Sequence, residues 1–133
     1  AVEVTLKELD RTFGDVYGTS AGHLEFQYTA RASYALNKAF GAPIGKSFGI
    51  TVGAPAAIGV LLADTAVKAA NVDVVGVSTP GNGGTSFSNE VILTFSGDSG
   101  AVRQAIIAAR EVGLKVLKTL DGTEPTSTTV PYI

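Results

Sequence analysis

Leu24, Phe26 and Tyr28 alternate with His23, Glu25 and Gln27 over His23–Thr29, the two-residue period of a half-buried strand. Val72–Ser78 and Glu90–Ser96 are dense in β-branched residues and predict two more strands, and Phe48–Val52 predicts a short one. Elsewhere the apolar period lengthens. Val4, Leu6, Leu9 and Phe13 form an approximate helical stripe over Val2–Phe13, with Gly14 as its stop. Ala30–Phe40 returns to helical spacing, with Tyr34, Leu36 and Phe40 as anchors and Gly41 as terminator. Pro43 and Gly45 make a turn, and Pro55–Asn71 is an Ala-rich helix with Pro55 in its first turn. Asp98 stands as the N-cap of a helix over Ser99–Val112 that Gly113 ends. Lys115–Leu120 predicts a last short strand, and Asp121–Ile133 a polar, Pro-interrupted, extended tail. The order helix, β, α, β, α, β, β, α, tail predicts an α/β (α+β) domain, a small and mainly antiparallel sheet flanked by helices.

The segment between the Val72–Ser78 and Glu90–Ser96 strands has a different composition. Thr79–Asn89 holds three Gly, one Pro, two Asn and two Ser in eleven positions, too little apolar area to bury. It is longer than a tight hairpin needs, and a long small-residue loop on a rigid scaffold is a candidate functional element.

The 133 residues suit one domain; 45% are hydrophobic and 17% charged, so a core can form while charge is sparse. A net charge of −2 without a Lys/Arg cluster argues against nucleic acid as partner. Without Cys there is no disulfide framework, thiolate metal site or cysteine nucleophile. Ala1–Thr5 lacks the basic start and apolar core of a signal peptide. The longest apolar run, Ala54–Ala70, is broken by Asp64 and Lys68 and falls short of the roughly 20 apolar residues of a membrane span.

Three patterns suggest chemistry and are better read otherwise. Gly97-Asp98-Ser99-Gly100 resembles the nucleophile motif of chymotrypsin-like proteases, and His23, Asp64 and Ser99 even fall in their order. That architecture needs two β-barrels, and Asp98 is placed as a helix cap. Gly41–Ser47 (GAPIGKS) approaches a phosphate loop but is one residue short, and it leads into a strand where the motif needs a helix N-terminus. His23, the only histidine, would need carboxylate partners for a catalytic or metal role, and the sequence places none. Glu3, Glu8, Asp10 and Asp15 read as solvating charges, and no spacing suggests a paired acid and base. No catalytic residue, metal ligand or cofactor is expected.

Ala63-Asp64-Thr65-Ala66-Val67-Lys68-Ala69-Ala70-Asn71-Val72, then strand, Gly-rich loop and strand, then Gly97-Asp98-Ser99-Gly100-Ala101-Val102, resembles the signature of bacterial microcompartment shell domains. The likeness is dense over Phe48–Gly113. In the ordinary domain a final strand and helix follow; here the matching strand and helix, His23–Phe40, come first, so the resemblance implies a circularly permuted domain, as in tandem-domain trimeric shell proteins of propanediol- or ethanol-utilisation type. It implies that residues 1–17 are the terminal helix of a preceding shell domain, 18–120 the permuted domain and 121–133 a tail. It implies a role without catalysis: trimers that mimic hexamers and tile a shell in the bacterial cytoplasm beside other shell proteins and encapsulated enzymes, with small polyol or aldehyde metabolites crossing through pores. The loop Pro80, Gly81, Asn82, Gly83, Gly84, Thr85, Ser86 and Phe87 falls at the family's pore-loop position, although it is longer than in single-domain members. Lys68, with Asn71, matches the lysine at contacts between neighbouring tiles; taken alone, it reads as a solvated helix-end lysine favoured by the helix dipole. No basic ring sets a charge selectivity, and no Cys is present for an iron–sulfur cluster. A second function class, a ligand-binding regulatory α/β oligomer gripping an anion with the Gly-rich loop, stays open on the residues alone.

Overall fold

The alternation along His23–Thr29 becomes the second strand of an antiparallel sheet. The structure, a computed structural model, describes residues 12–80, 89–122 and 125–127. Strands β1 (Thr12–Thr19), β2 (Gly22–Thr29), β3 (Ser47–Ala54), β4 (Asp73–Ser78), β5 (Val91–Gly97) and β6 (Thr126–Ser127) lie in the order β4-β5-β3-β2-β1-β6. Each neighbouring pair is antiparallel. Helices α1 (Tyr34–Phe40), α2 (Ala56–Ala69) and α3 (Ser99–Asp121) complete the described elements. The expected small antiparallel sheet flanked by helices is what forms. No helix among the described residues is long and apolar enough to cross a membrane.

The strand register divides the sheet into two faces. Tyr17, Leu24 and Val91 point one way, as do Phe26, Thr51 and Leu93, and these positions are buried under α2 and α3. α3 presents Val102, Ala105, Ile106, Ala109, Gly113 and Leu117 to that core, a stripe at three- and four-residue spacing. Two close approaches lock α2 onto β3. A Cβ built on Gly53 would stand 2.7 Å from the Gly59 Cα, and one built on Gly59 would stand 2.6 Å from the Gly53 carbonyl oxygen. Helix and strand backbones therefore touch where neither residue has a side chain. Among the described residues, the second face is covered at one end. There α1 and its flanks close a smaller core of Ala32, Ala42 and Phe48, with Leu36, Ile50 and Val75 around it.

Four expected elements differ from what forms. Residues 12–17 do not continue a terminal helix: they lie in β1, paired with β2 from Thr12 opposite Thr29 to Thr19 opposite Gly22. The rest of the expected 1–17 helix lies outside the described residues. Gly14 and Gly18 disfavour helix, and the buried Asp15 and Tyr17 against the more exposed Val16 follow a strand period. Lys115–Leu120 is not a strand but the last turns of α3, which runs through Gly113. Gly113 is a packing residue: a Cβ there would lie 2.8 Å from both Leu24 Cδ1 and Leu62 Cδ2. The helix ends at Gly122, left-handed at φ 78, whose N–H donates to Lys118 O at 2.7 Å. α1 begins only at Tyr34, with Ser33 Oγ accepting from Leu36 N at 3.4 Å. Its expected anchors Tyr34 and Phe40 are exposed; Phe40 packs in a tilted pair with Phe48, ring centroids 5.6 Å apart. Asp98 does occupy the N-cap of α3, but its side chain makes no capping hydrogen bond; its carbonyl accepts from Val102 N at 2.9 Å. Of the expected tail, Asp121 closes α3 and accepts a hydrogen bond from the Ser20 hydroxyl, while Thr126–Ser127 pair with β1.

Asp15 is not a solvating charge. It is fully buried, and Arg110 of α3 donates to its Oδ2 from Nη1 at 3.2 Å. Burial pushes the neighbouring Tyr17 phenol above its ordinary value; the Asp15 charge adds to this and Arg110 opposes it. Removing one member of a buried pair takes away compensation that the other charge relies on. Arg110→Ala is therefore expected to cost about 3–5 kcal/mol, read as a shift of the urea midpoint with an unchanged slope. A midpoint equal to that of the parent protein would show that the pair carries no stability.

Candidate functional site

The open part of the second face is a site built by register. Val16 lies opposite Glu25, Glu25 opposite Val52 and Val52 opposite Ile92, so these four form one row across β1, β2, β3 and β5. Beside them Ile50 and the overhanging Phe40 of α1 close a cavity of about 310 Å³. A second hollow of about 310 Å³ continues past Phe40 and Ile92 to Gly76, Val77 and Ser78 on β4. The walls are mostly apolar, with Asp15, Glu25 and Gln27 as the polar residues lining the first hollow.

A second row carries the titratable groups. His23 is opposite Ala54 on β3, and the β3–β5 register continued by one residue puts Glu90 opposite Ala54 as well. Ala54 has only a methyl group, so the side chains on either side meet above it. His23 Nε2 stands 3.4 Å from Glu90 Oε2 and 3.7 Å from Glu25 Oε2, and one ligand atom from each residue lies within 4.8 Å of the other two. Two carboxylates no more than 4.8 Å apart repel by about 1 kcal/mol even at the dielectric of bulk water. The carboxylates that the sequence left unplaced for His23 thus exist. His23-x-Glu25 on one strand face was the legible half of the signal; Glu90 required the register of two further strand pairs.

The protease-like order does not assemble. Ser99 Oγ and Tyr28 Oη are hydrogen-bonded at 2.6 Å, and Tyr28 is five residues along β2 from His23, about 17 Å at strand rise. Asp64 Oδ2 is held by Lys68 Nζ at 2.7 Å. Gly41–Ser47 leads into β3, as expected, and no helix N-terminus follows it.

Of the expected loop residues, Pro80 is described and half-buried, and residues 81–88 lie outside the described residues. The ends of the loop are described: Ser78 closes β4 and Glu90 precedes β5. Lys68 and Asn71 are both exposed, three residues apart at the C-terminal end of α2. In the chain, β4 runs between Asn71 and Pro80. Several valines are exposed: Val67, next to Lys68 in the chain, Val60 on the same helix, and Val74 and Val77 on β4.

The model of the BMC domain matches residues 47–127, more than half of the chain. The chain belongs to the BMC domain family. β1, β2 and α1 precede the matched segment, yet β2 pairs with β3 inside the sheet, which is the permuted arrangement. A curated relative, the bacterial microcompartment shell protein PduB of Salmonella typhimurium, is 69% identical over 132 residues, covering 99% of this chain and 48% of PduB. The crystal structure of a trimeric microcompartment shell protein PduB matches with a TM-score of 0.81 at 52% identity, over 99% of this chain and 57% of that one. EtuB from Clostridium kluyveri matches with a TM-score of 0.82 at 50% identity, over 99% and 57%. The chain spans about half the length of the curated PduB it matches.

Proposed function

We propose that this BMC domain is part of a structural, non-enzymatic tile of a bacterial microcompartment shell in the cytoplasm, in a tandem-domain protein that associates as a trimer of pseudo-hexameric outline. The observation that carries this is the match over 99% of the chain to a trimeric PduB, together with the curated PduB relative at 69% identity. The surface supports it. Val60, Val67, Val74 and Val77 are exposed on one helix and one sheet edge, apolar area that association would cover. The regulatory-oligomer reading is not favoured, because the matching family model and the similar proteins are those of microcompartment shells.

Within this reading, Pro80–Phe87 stands at a subunit boundary or opening, and Lys68 with Asn71 stands at contacts between tiles. The loop carries no acidic or basic side chain. Neutral donors such as Asn82, Thr85 and Ser86 suit a small polyol or aldehyde better than an ion. Other shell proteins and enclosed enzymes are the partners that follow. Electron microscopy of the concentrated full-length protein tests the reading: extended sheets or tubes are expected, whereas discrete particles at every concentration would favour a soluble oligomer.

A further inference from the structure

We infer that His23, Glu25 and Glu90 form a binding site for a first-row divalent cation, with Zn2+ as the best-fitting ion. Three features carry it. The first is spacing. Ligand atoms of a tetrahedral Zn2+ site lie about 3.3 Å apart when metal–ligand bonds are about 2.0–2.1 Å. His23 Nε2 is already 3.4 and 3.7 Å from the two carboxylate oxygens, and the whole set falls within 4.8 Å. The remaining closure belongs to partly exposed glutamate side chains, which rotate without moving a strand.

The second is charge. Two carboxylates face one imidazole, and among the described residues the ion pairs that either glutamate makes are both with His23. With the imidazole neutral the cluster carries two uncompensated negative charges. A divalent cation neutralises both and takes the imidazole nitrogen as third ligand, leaving a fourth position for water. One nitrogen and two oxygens suit Zn2+ and its first-row neighbours better than Mg2+ or Ca2+, which favour all-oxygen shells.

The third is the frame. His23 and Glu25 are fixed two residues apart on one face of β2, and Glu90 reaches the same spot because Ala54 between them is small. Gly22, next to His23, lies so close to Ala54 that a Cβ there would stand 2.1 Å from its carbonyl oxygen, which holds the two strands at fixed separation. A bound cation ties β2 to the residue just before β5, and thus to one root of the long loop. The inference stands without the shell reading, since it needs only this chain's own residues.

The test titrates Zn2+, and Co2+ as a spectroscopic probe, into the full-length protein and into His23→Ala and Glu90→Gln, with metal content counted after desalting. The parent protein is expected to hold one more equivalent per chain than either variant. The visible Co2+ spectrum of a nitrogen-bearing site should be lost in His23→Ala, and loss of one ligand should weaken binding by more than about 100-fold, beyond the effect of removing an outer-shell partner. Equal thermal melts of the metal-free proteins show that the variants fold. Equal stoichiometry and affinity for parent and variants, or no uptake by the parent at sub-millimolar Zn2+, would overturn the assignment, and neither result would bear on shell assembly.

Discussion

Lys68→Asp is expected to abolish extended sheets while leaving the fold and the trimer intact. In the isolated domain Lys68 does little. Its Nζ pairs with Asp64 Oδ2 at 2.7 Å one turn back, and the lysine side chain is 73% exposed. Such a helix pair is worth about 0.3–0.5 kcal/mol, and losing a cation at the helix C-terminus costs about as much again. The substitution also sets a second carboxylate one turn from Asp64, a like-charge pair of similarly small cost. The fold can absorb the sum. A contact between tiles is another matter, because it recurs at each edge of a lattice, and a reversed charge is repeated with it. Electron microscopy of the variant at a concentration where the parent forms sheets reads the effect. Normal sheets from Lys68→Asp would remove Lys68 from the tile edge.

Gly59→Val is expected to cost more than about 3 kcal/mol, at or beyond the upper end of overpacking substitutions. Most crowded positions relax by turning a flexible side chain. Here the added Cβ would meet the Val91 Cβ at 2.5 Å and the Gly53 carbonyl oxygen at 2.6 Å, atoms fixed to two strands. α2 would have to lift off β3, opening the core around Ile58 and Leu62. Total stabilities of domains are about 5–15 kcal/mol, so the loss is a large share. A fall in melting temperature of more than about 10 °C is the expected reading, and a melt within about 3 °C of the parent would contradict the backbone contact.

The same glycines show what could be read in the chain and what could not. The β2 alternation, the Ala-rich α2 and the β-branched β4 and β5 were legible because each follows one period and is bounded by turn residues. Gly113 misled because a glycine after a helical stripe usually ends the helix. The spacing from Ala109 through Gly113 to Leu117 continues on one face, however, and the residue is small because Leu24 and Leu62 lie against it. β1 was hidden by Asp15, a charge on a buried strand face, where it pairs with Arg110, 95 residues later. Tyr34 and Phe40 looked like anchors by type, but a seven-residue helix over one end of a sheet leaves most of its surface open, and both rings lie on it.

The candidate sites divide in the same way. Lys68 and Asn71 were legible through the family-like phrase that contains them, and the loop through its composition. The His23 cluster was not, because Glu90 meets His23 only through the pairing of β2 with β3 and of β3 with β5. Periodicity within one segment carries no register between segments.

Three-fold association of the protein that carries this domain is the central expectation. Light scattering on that full-length protein after size exclusion measures it directly. A mass of three subunits, stable on dilution, is the expected result; a mass of one subunit across the same concentrations would contradict the account.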